Sequence, residues 1–96
     1  MAIAVVQEWA EGGNDTTHYD AIHDRIMAGP TPDGFRVHTA GAIEGGGFRI
    51  FEVWDSEEQY QRFVEAQLMP VVQEVGGDAD PPTTKTYELH EFVVAS

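Results

Sequence analysis

Residues 2–9 are aliphatic on both alternations, with Ile3 and Val5 on one side and Ala4 and Val6 on the other. That pattern predicts a strand covered on both faces. Residues 11–14 read as a loop, and Asn14 or Asp15 is placed to cap a following helix. In that helix Tyr19, Ile22, Ile26 and Met27 form the apolar stripe, and residues 29–34, rich in Gly and Pro, end it. Residues 35–43 and 48–54 predict two strands joined through Glu44-Gly45-Gly46-Gly47 as a hairpin. Ser56 with Gln59 three residues on fits a capping box. It opens a second helix whose stripe is Tyr60, Phe63, Val64, Leu68, Val71, Val72 and Val75. Pro70 lies inside that stripe and predicts an interruption near residues 67–69. Gly76-Gly77 closes the helix, residues 78–83 form a linker, and residues 85–94 predict the last strand.

The order β-α-β-β-α-β predicts a single α+β domain over residues 1–96, a ferredoxin-like four-stranded antiparallel sheet with two helices on one face. Two helices cover only one face. The first and last strands are apolar on both, so the uncovered face is expected to meet a second copy of the chain, giving a homodimer that closes into a dimeric α/β barrel and shields edge strands.

Composition sharpens this. A 96-residue chain without cysteine has no disulfide framework and no thiolate metal site, which leaves oligomerisation as the remaining support for a small core. Seventeen acidic against five basic residues give a net charge of −12, a surface that repels phosphate backbones and anionic bilayers; nucleic acid and membrane are not expected partners. No apolar run approaches a membrane span, and residues 1–6 lack the basic start of a signal peptide. A cytoplasmic location is the expectation.

Chemistry-bearing residues gather on the hairpin. With an odd loop centred on Gly45 and Gly46, His38 falls opposite Glu52 or Trp54. One face then carries Arg36, His38, Ala40, Phe48, Ile50, Glu52 and Trp54, and the other carries Phe35, Val37, Thr39, Arg49, Phe51 and Val53. A two-residue turn would break this grouping. The helices are expected on the aliphatic face, leaving His38 to look into the space between two sheets, where His90 of the last strand could join it. A carboxylate beside an imidazole fixes its tautomer and raises its basicity, so His38 and Glu52 are the candidate catalytic pair; the same two residues could equally be a buried bond holding the dimer. Trp54, Phe63, Tyr60 and His90 are the candidate ligand-binding residues. Trp54 could instead be a core or interface anchor, and Tyr19, Tyr60 and Phe63 sit at helical core spacing. His18 and His23 are five apart, not at the i, i+4 spacing of a helical metal pair, so no metal site is expected.

The stretches 34–41 (Gly-Phe-Arg-Val-His-Thr-Ala-Gly) and 47–58, in which Trp54, Asp55 and Ser56 lead into an amphipathic helix, carry a resemblance. Phe63, the run Leu68-Met69-Pro70 and the closing Tyr87-Glu88-Leu89-His90 extend it. Over residues 2–94 the chain resembles the dimeric α/β-barrel superfamily, specifically its antibiotic-biosynthesis monooxygenase-like members, and looks like an uncharacterised branch common among actinobacteria. The resemblance implies cofactor-free oxygenation of aromatic compounds, haem degradation, or isomerase or cyclase chemistry. The haem-degrading members use an Asn on strand one, a Trp nine residues beyond the strand-three Trp, and a His ten residues after that. Here strand one offers Gln7-Glu8, and the other positions hold Phe63 and Gln73; haem chemistry is disfavoured and no cofactor is expected.

Three functions stay open: a small cofactor-free monooxygenase, isomerase or cyclase for a small hydrophobic or aromatic compound; a non-catalytic ligand-binding or regulatory accessory module; and a structural dimer with a filled core. Fold alone does not choose among them.

Overall fold

A computed structural model describes residues 1–76 and 81–95. Strand β1 (Ile3–Trp9) leads to helix α1 (Thr17–Ala28), then strands β2 (Phe35–Ala42) and β3 (Phe48–Trp54). Helix α2 (Glu57–Phe63), a π-helical turn (Val64–Leu68) and helix α3 (Met69–Val75) run on as one broken helix, and β4 (Thr83–Glu88) ends the sheet. The sheet is antiparallel throughout, in the order β2-β3-β1-β4. This is the ferredoxin-like α+β arrangement that the element order predicts.

Local chemistry explains the elements. The Ser56 side chain accepts from the Gln59 backbone N–H at 3.2 Å and donates its own hydroxyl to Gln59 Oε1 at 3.0 Å, so Ser56 caps α2 as expected, with Gln59 reaching back to the cap hydroxyl and not to its backbone N–H. Asp15 Oδ1 accepts from the Thr17 N–H at 3.0 Å ahead of α1, and the bonds from Thr17 hold the Asp15 carboxyl below its ordinary range. Pro70 acts as expected but does not break the chain into separate helices. Its ring would strike the carbonyl four residues back; the helix widens instead, and the Met69 N–H reaches Val64 O, five residues earlier. Gly45 and Gly46 turn the hairpin with φ of 87° and 88°, values that a side chain disfavours.

The last strand departs from its prediction. β4 starts two residues early and stops at Glu88, where it pairs with Ile3; one further bond, Leu89 N–H to Ala2 O at 2.8 Å, ends the pairing. The Thr-rich run 83–86 has high strand propensity and provides the pairing instead. The expected helix end at Gly77 and the first part of the expected linker (residues 78–80) lie outside the described residues.

The core forms on one face of the sheet from Ile3, Val5, Trp54, Tyr60 and Phe63, with Ile26, Phe35, Val64 and Leu68 packed against it. Three aromatic rings surround Trp54: Phe63 at 5.0 Å, Phe35 at 5.4 Å and Tyr60 at 5.6 Å between centroids. This corrects the sequence expectation on two counts. Helices cover the face of Trp54, Glu52 and His38, not that of Phe51 and Val53. Phe35 also belongs with the core, because an irregularity between Phe35 and Val37 shifts the register. Arg36, at that bulge, reaches outward to make a two-pronged bond with Asp55, both at 2.7 Å.

Burial of Tyr60, 6 % exposed, and the nearby Glu52 charge push its phenol up to about 12. Its unfolded counterpart ionises near 10. A raised folded pKa means stability is fully present below pH 10 and is lost as pH rises from about 10 to 12. Alkaline titration followed by circular dichroism should therefore show melting temperature falling across that window. Tyr60→Phe should flatten the fall; an identical pH profile in the variant would refute this assignment.

Candidate functional site

His38 and Glu52 face each other across the hairpin, as the strand register requires. His38 Nδ1 lies 2.5 Å from Glu52 Oε2. The second carboxylate oxygen accepts from Trp54 Nε1–H at 3.2 Å. The other imidazole nitrogen, Nε2, lies 2.6 Å from Tyr19 Oη on α1, and His23 Nδ1, one helical turn further along α1, lies 3.4 Å from the same oxygen. Tyr19, His23 and His38 stack almost in parallel: 9° between Tyr19 and His38, 20° between Tyr19 and His23. Phe48 closes on Tyr19 at 5.3 Å between ring centroids.

Donor inventory orients this chain. Indole Nε1 can only donate, and an ionised carboxylate can only accept. With Glu52 ionised, the proton in the short bond sits on His38 Nδ1, and Nε2 is left as an acceptor for the Tyr19 hydroxyl. The Tyr19 oxygen can then accept from His23. Every proton in this line thus points toward Glu52, the one buried charged residue among the described residues, at 8 % exposed. Burial first, then the Glu52 and Asp20 charges, hold the Tyr19 phenol above its ordinary pKa.

A close contact among three glycines places α1 over the hairpin. The Gly13 N–H donates to Gly46 O at 3.0 Å, and a Cβ on Gly13 would overlap the Gly47 carbonyl oxygen. The loop before α1 therefore touches the hairpin turn backbone to backbone, which sets Tyr19 over His38. On its other side, α1 is tied to α3 by the bond from His18 Nε2 to Gly76 O at 2.8 Å and by the pair Arg25 and Glu74. No residue of α1 is fully buried, and Tyr19 and His23 are half-buried where they meet the hairpin.

Of the other proposed ligand residues, Trp54 joins this chain through its bond to Glu52; Tyr60, Phe63 and His90 make no bond to it among the described residues. Trp54, Tyr60 and Phe63 are packed in the core. Phe63 also borders a shallow pocket of about 120 Å³ with Pro32, Asp33, Gln59 and Arg62, which does not include His38. His90 is exposed beyond the end of β4, not on the strand as expected. Two residues of the chain, Tyr19 and His23, were missed as chemistry. Their signal was present: they stand at i, i+4, and so share one face of α1. Among the described residues, no group of three His, Cys, Asp or Glu side chains gathers to hold a metal ion, and no helix is long and apolar enough to cross a membrane.

A four-stranded antiparallel sheet in this order, with its helices on the face that carries a polar chain, is a ferredoxin-like fold. Solved structures share that fold at low sequence identity. A Chloroflexus aurantiacus protein assigned to the antibiotic biosynthesis monooxygenases superimposes with a TM-score of 0.72 at 10 % identity, over 97 % of each chain. SnoaB from Streptomyces nogalater, a cofactor-independent oxygenase studied as a variant, gives 0.67 at 11 % over 96 % of each chain. MhuD, a haem degrader from Mycobacterium tuberculosis, gives 0.62 at 15 % over 97 % of this chain and 99 % of its own. No family model matches the chain, and no curated protein does.

Proposed function

We propose that the protein is an acid–base enzyme of the cofactor-free oxygenase, isomerase or cyclase kind, acting on a small hydrophobic or aromatic compound that has an acidic C–H bond. One observation carries this reading: His38 is held between a buried carboxylate and a phenol in a single line of short hydrogen bonds. Such a line costs desolvation and adds little to stability that aliphatic side chains would not supply, whereas it moves a proton readily. The half-buried contact between α1 and the sheet, walled by the rings of Tyr19, His23 and Phe48, is the proposed place for the substrate. SnoaB is a cofactor-independent oxygenase, and a base able to form a carbanion is the protein's share of that chemistry. Haem is a poor fit: Phe63 is buried in the core and Gln73 is exposed on α3.

The step shared by all three reactions is removal of a carbon-bound proton. Anthrone, whose C10 proton leaves an aromatic anion, is a suitable probe. Without oxygen, the protein should accelerate exchange of that proton with D2O. With oxygen, anthrone and one O2 give anthraquinone and one H2O. His38→Ala should lower the exchange rate by about 100-fold or more while the fold persists by circular dichroism. A wild-type rate equal to buffer would overturn the reading; anthrone binding without exchange would turn it toward a ligand-binding module.

The dimer belongs to the same proposal. The sheet face away from the helices carries Val6, Phe51, Val37 and Tyr87, and the tail beyond β4 leaves Phe92, Val93 and Val94 exposed. A second copy covers such a face at little cost. Light scattering at micromolar concentration should return twice the 10.6 kDa chain mass; a monomer mass would sink the dimer.

A further inference from the structure

Both nitrogens of His38 are occupied, Nδ1 by Glu52 and Nε2 by Tyr19. A substrate that met His38 directly would first have to displace the Tyr19 hydroxyl from a 2.6 Å bond. The phenol oxygen is differently placed. It uses its proton on His38, and its other polar neighbour among the described residues, His23 Nδ1, is a loose 3.4 Å away, so a lone pair stays available to a third group. A molecule docked between α1 and the sheet could meet that lone pair without breaking either short bond to His38.

We propose that Tyr19 is the catalytic residue that touches the reacting atom, and that His38 and Glu52 work through it as a proton acceptor and its support. The proposal rests on the acid–base reading above and deepens it. In the step, the substrate C–H bond breaks and its proton bonds to Tyr19 Oη. At the same time the proton already on Oη moves to His38 Nε2. The electron pair of the broken bond stays on the substrate as an enolate or carbanion. Tyr19 ends as a neutral phenol and His38 as an imidazolium paired with the Glu52 carboxylate. Reversal of the two transfers returns the proton to a different carbon in an isomerase; in an oxygenase the carbanion is oxidised by O2.

The concerted form agrees with the electrostatics. Burial and two nearby carboxylates disfavour a free phenolate at Tyr19, so a mechanism that ionised it first would work against its surroundings. Passing one proton in as another leaves never forms that anion. The near-parallel rings of Tyr19 and His38 and their 2.6 Å bond keep the Oη–H directed at Nε2 through the transfer. His23, stacked on both rings, acts as a positioning residue.

Two measurements decide this. The first needs no substrate. In 15N spectra of the imidazole side chains near neutral pH, His38 should carry its proton on Nδ1, with Nε2 at the position of a hydrogen-bonded acceptor. Tyr19→Phe should move the Nε2 resonance toward a free acceptor. A proton found on Nε2, in a neutral or a doubly protonated ring, reverses the bond and overturns the proposal. The second uses anthrone exchange in D2O. Tyr19→Phe should lose about 100-fold or more in rate, as His38→Ala does, with KM for anthrone little changed because the aromatic wall remains. A Tyr19→Phe rate equal to wild type, with His38→Ala still dead, would overturn the role of Tyr19 and leave the acid–base reading intact. Wild type that fails to exchange anthrone defeats that reading instead, and the 15N result still decides the direction of the bond.

Discussion

Trp54→Ala should remove a large share of the chain's stability. Trp54 is 1 % exposed and sits at the centre of the core, against Phe35, Tyr60 and Phe63. Truncating a buried Trp costs about 3–5 kcal/mol in transfer and cavity terms, set against a total stability of about 5–15 kcal/mol for a small domain. The loss does not end with the cavity. Indole Nε1 is one of two donors to the buried Glu52 carboxylate, and a buried charge short of a donor costs more than a neutral group in the same position. Trp54→Phe separates the two contributions, keeping most of the aromatic contact while deleting the donor. Urea titration should show a loss of about 1–2 kcal/mol for Phe and more than twice that for Ala. An Ala variant within 1 kcal/mol of wild type would show that the core is not centred where the packing places it.

Much of this centre was legible in the sequence. Period-two alternation and the glycine turn placed Phe48 to Trp54 as a strand and His38 opposite Glu52 or Trp54; the structure takes the Glu52 register, with Ala42 opposite Phe48. Ser56 and Gln59 announced the start of α2, and Pro70 announced the altered turn before α3. The choice of face was not legible. His38 and Glu52 look polar beside Phe51 and Val53, and polarity argued for an open space between sheets. What decided otherwise was Trp54: it alternates in phase with Glu52, and its bulk outweighs one carboxylate when that carboxylate is bonded on both oxygens. The bulge at Arg36, which brings Phe35 to the same side, left no mark in the alternation. Tyr19 and His23 escaped for a different reason. Pairing between a helix and a sheet is set by the docking of α1 through Gly13 on the hairpin turn, a backbone contact that no side-chain pattern records. His90 was assigned to a strand because residues 89–94 are apolar, but that stretch finds no partner strand in the chain.

His38 and Glu52 offer the sharpest division between a working site and a structural bond. His38→Ala alone should cost about 2–4 kcal/mol, since it strands a buried carboxylate with Trp54 as its remaining donor. The double variant His38→Leu with Glu52→Leu removes both partners at once. Its cost is then small: the two leucines gain apolar burial, no charge needs solvation, and the penalty is an indole N–H without an acceptor, about 1 kcal/mol. Replacing a buried pair by aliphatic groups is commonly neutral or stabilising by 1–4 kcal/mol. The double variant should therefore melt within a few degrees of wild type, or above it, while losing anthrone exchange entirely. A pair kept for the fold behaves in the opposite way, with the double variant as unstable as the single one. The comparison is decisive because its two readouts move apart under one reading and together under the other. A stable, inactive double variant would mean that the chain carries His38 and Glu52 at the expense of a better core, for the sake of the proton they share with Tyr19.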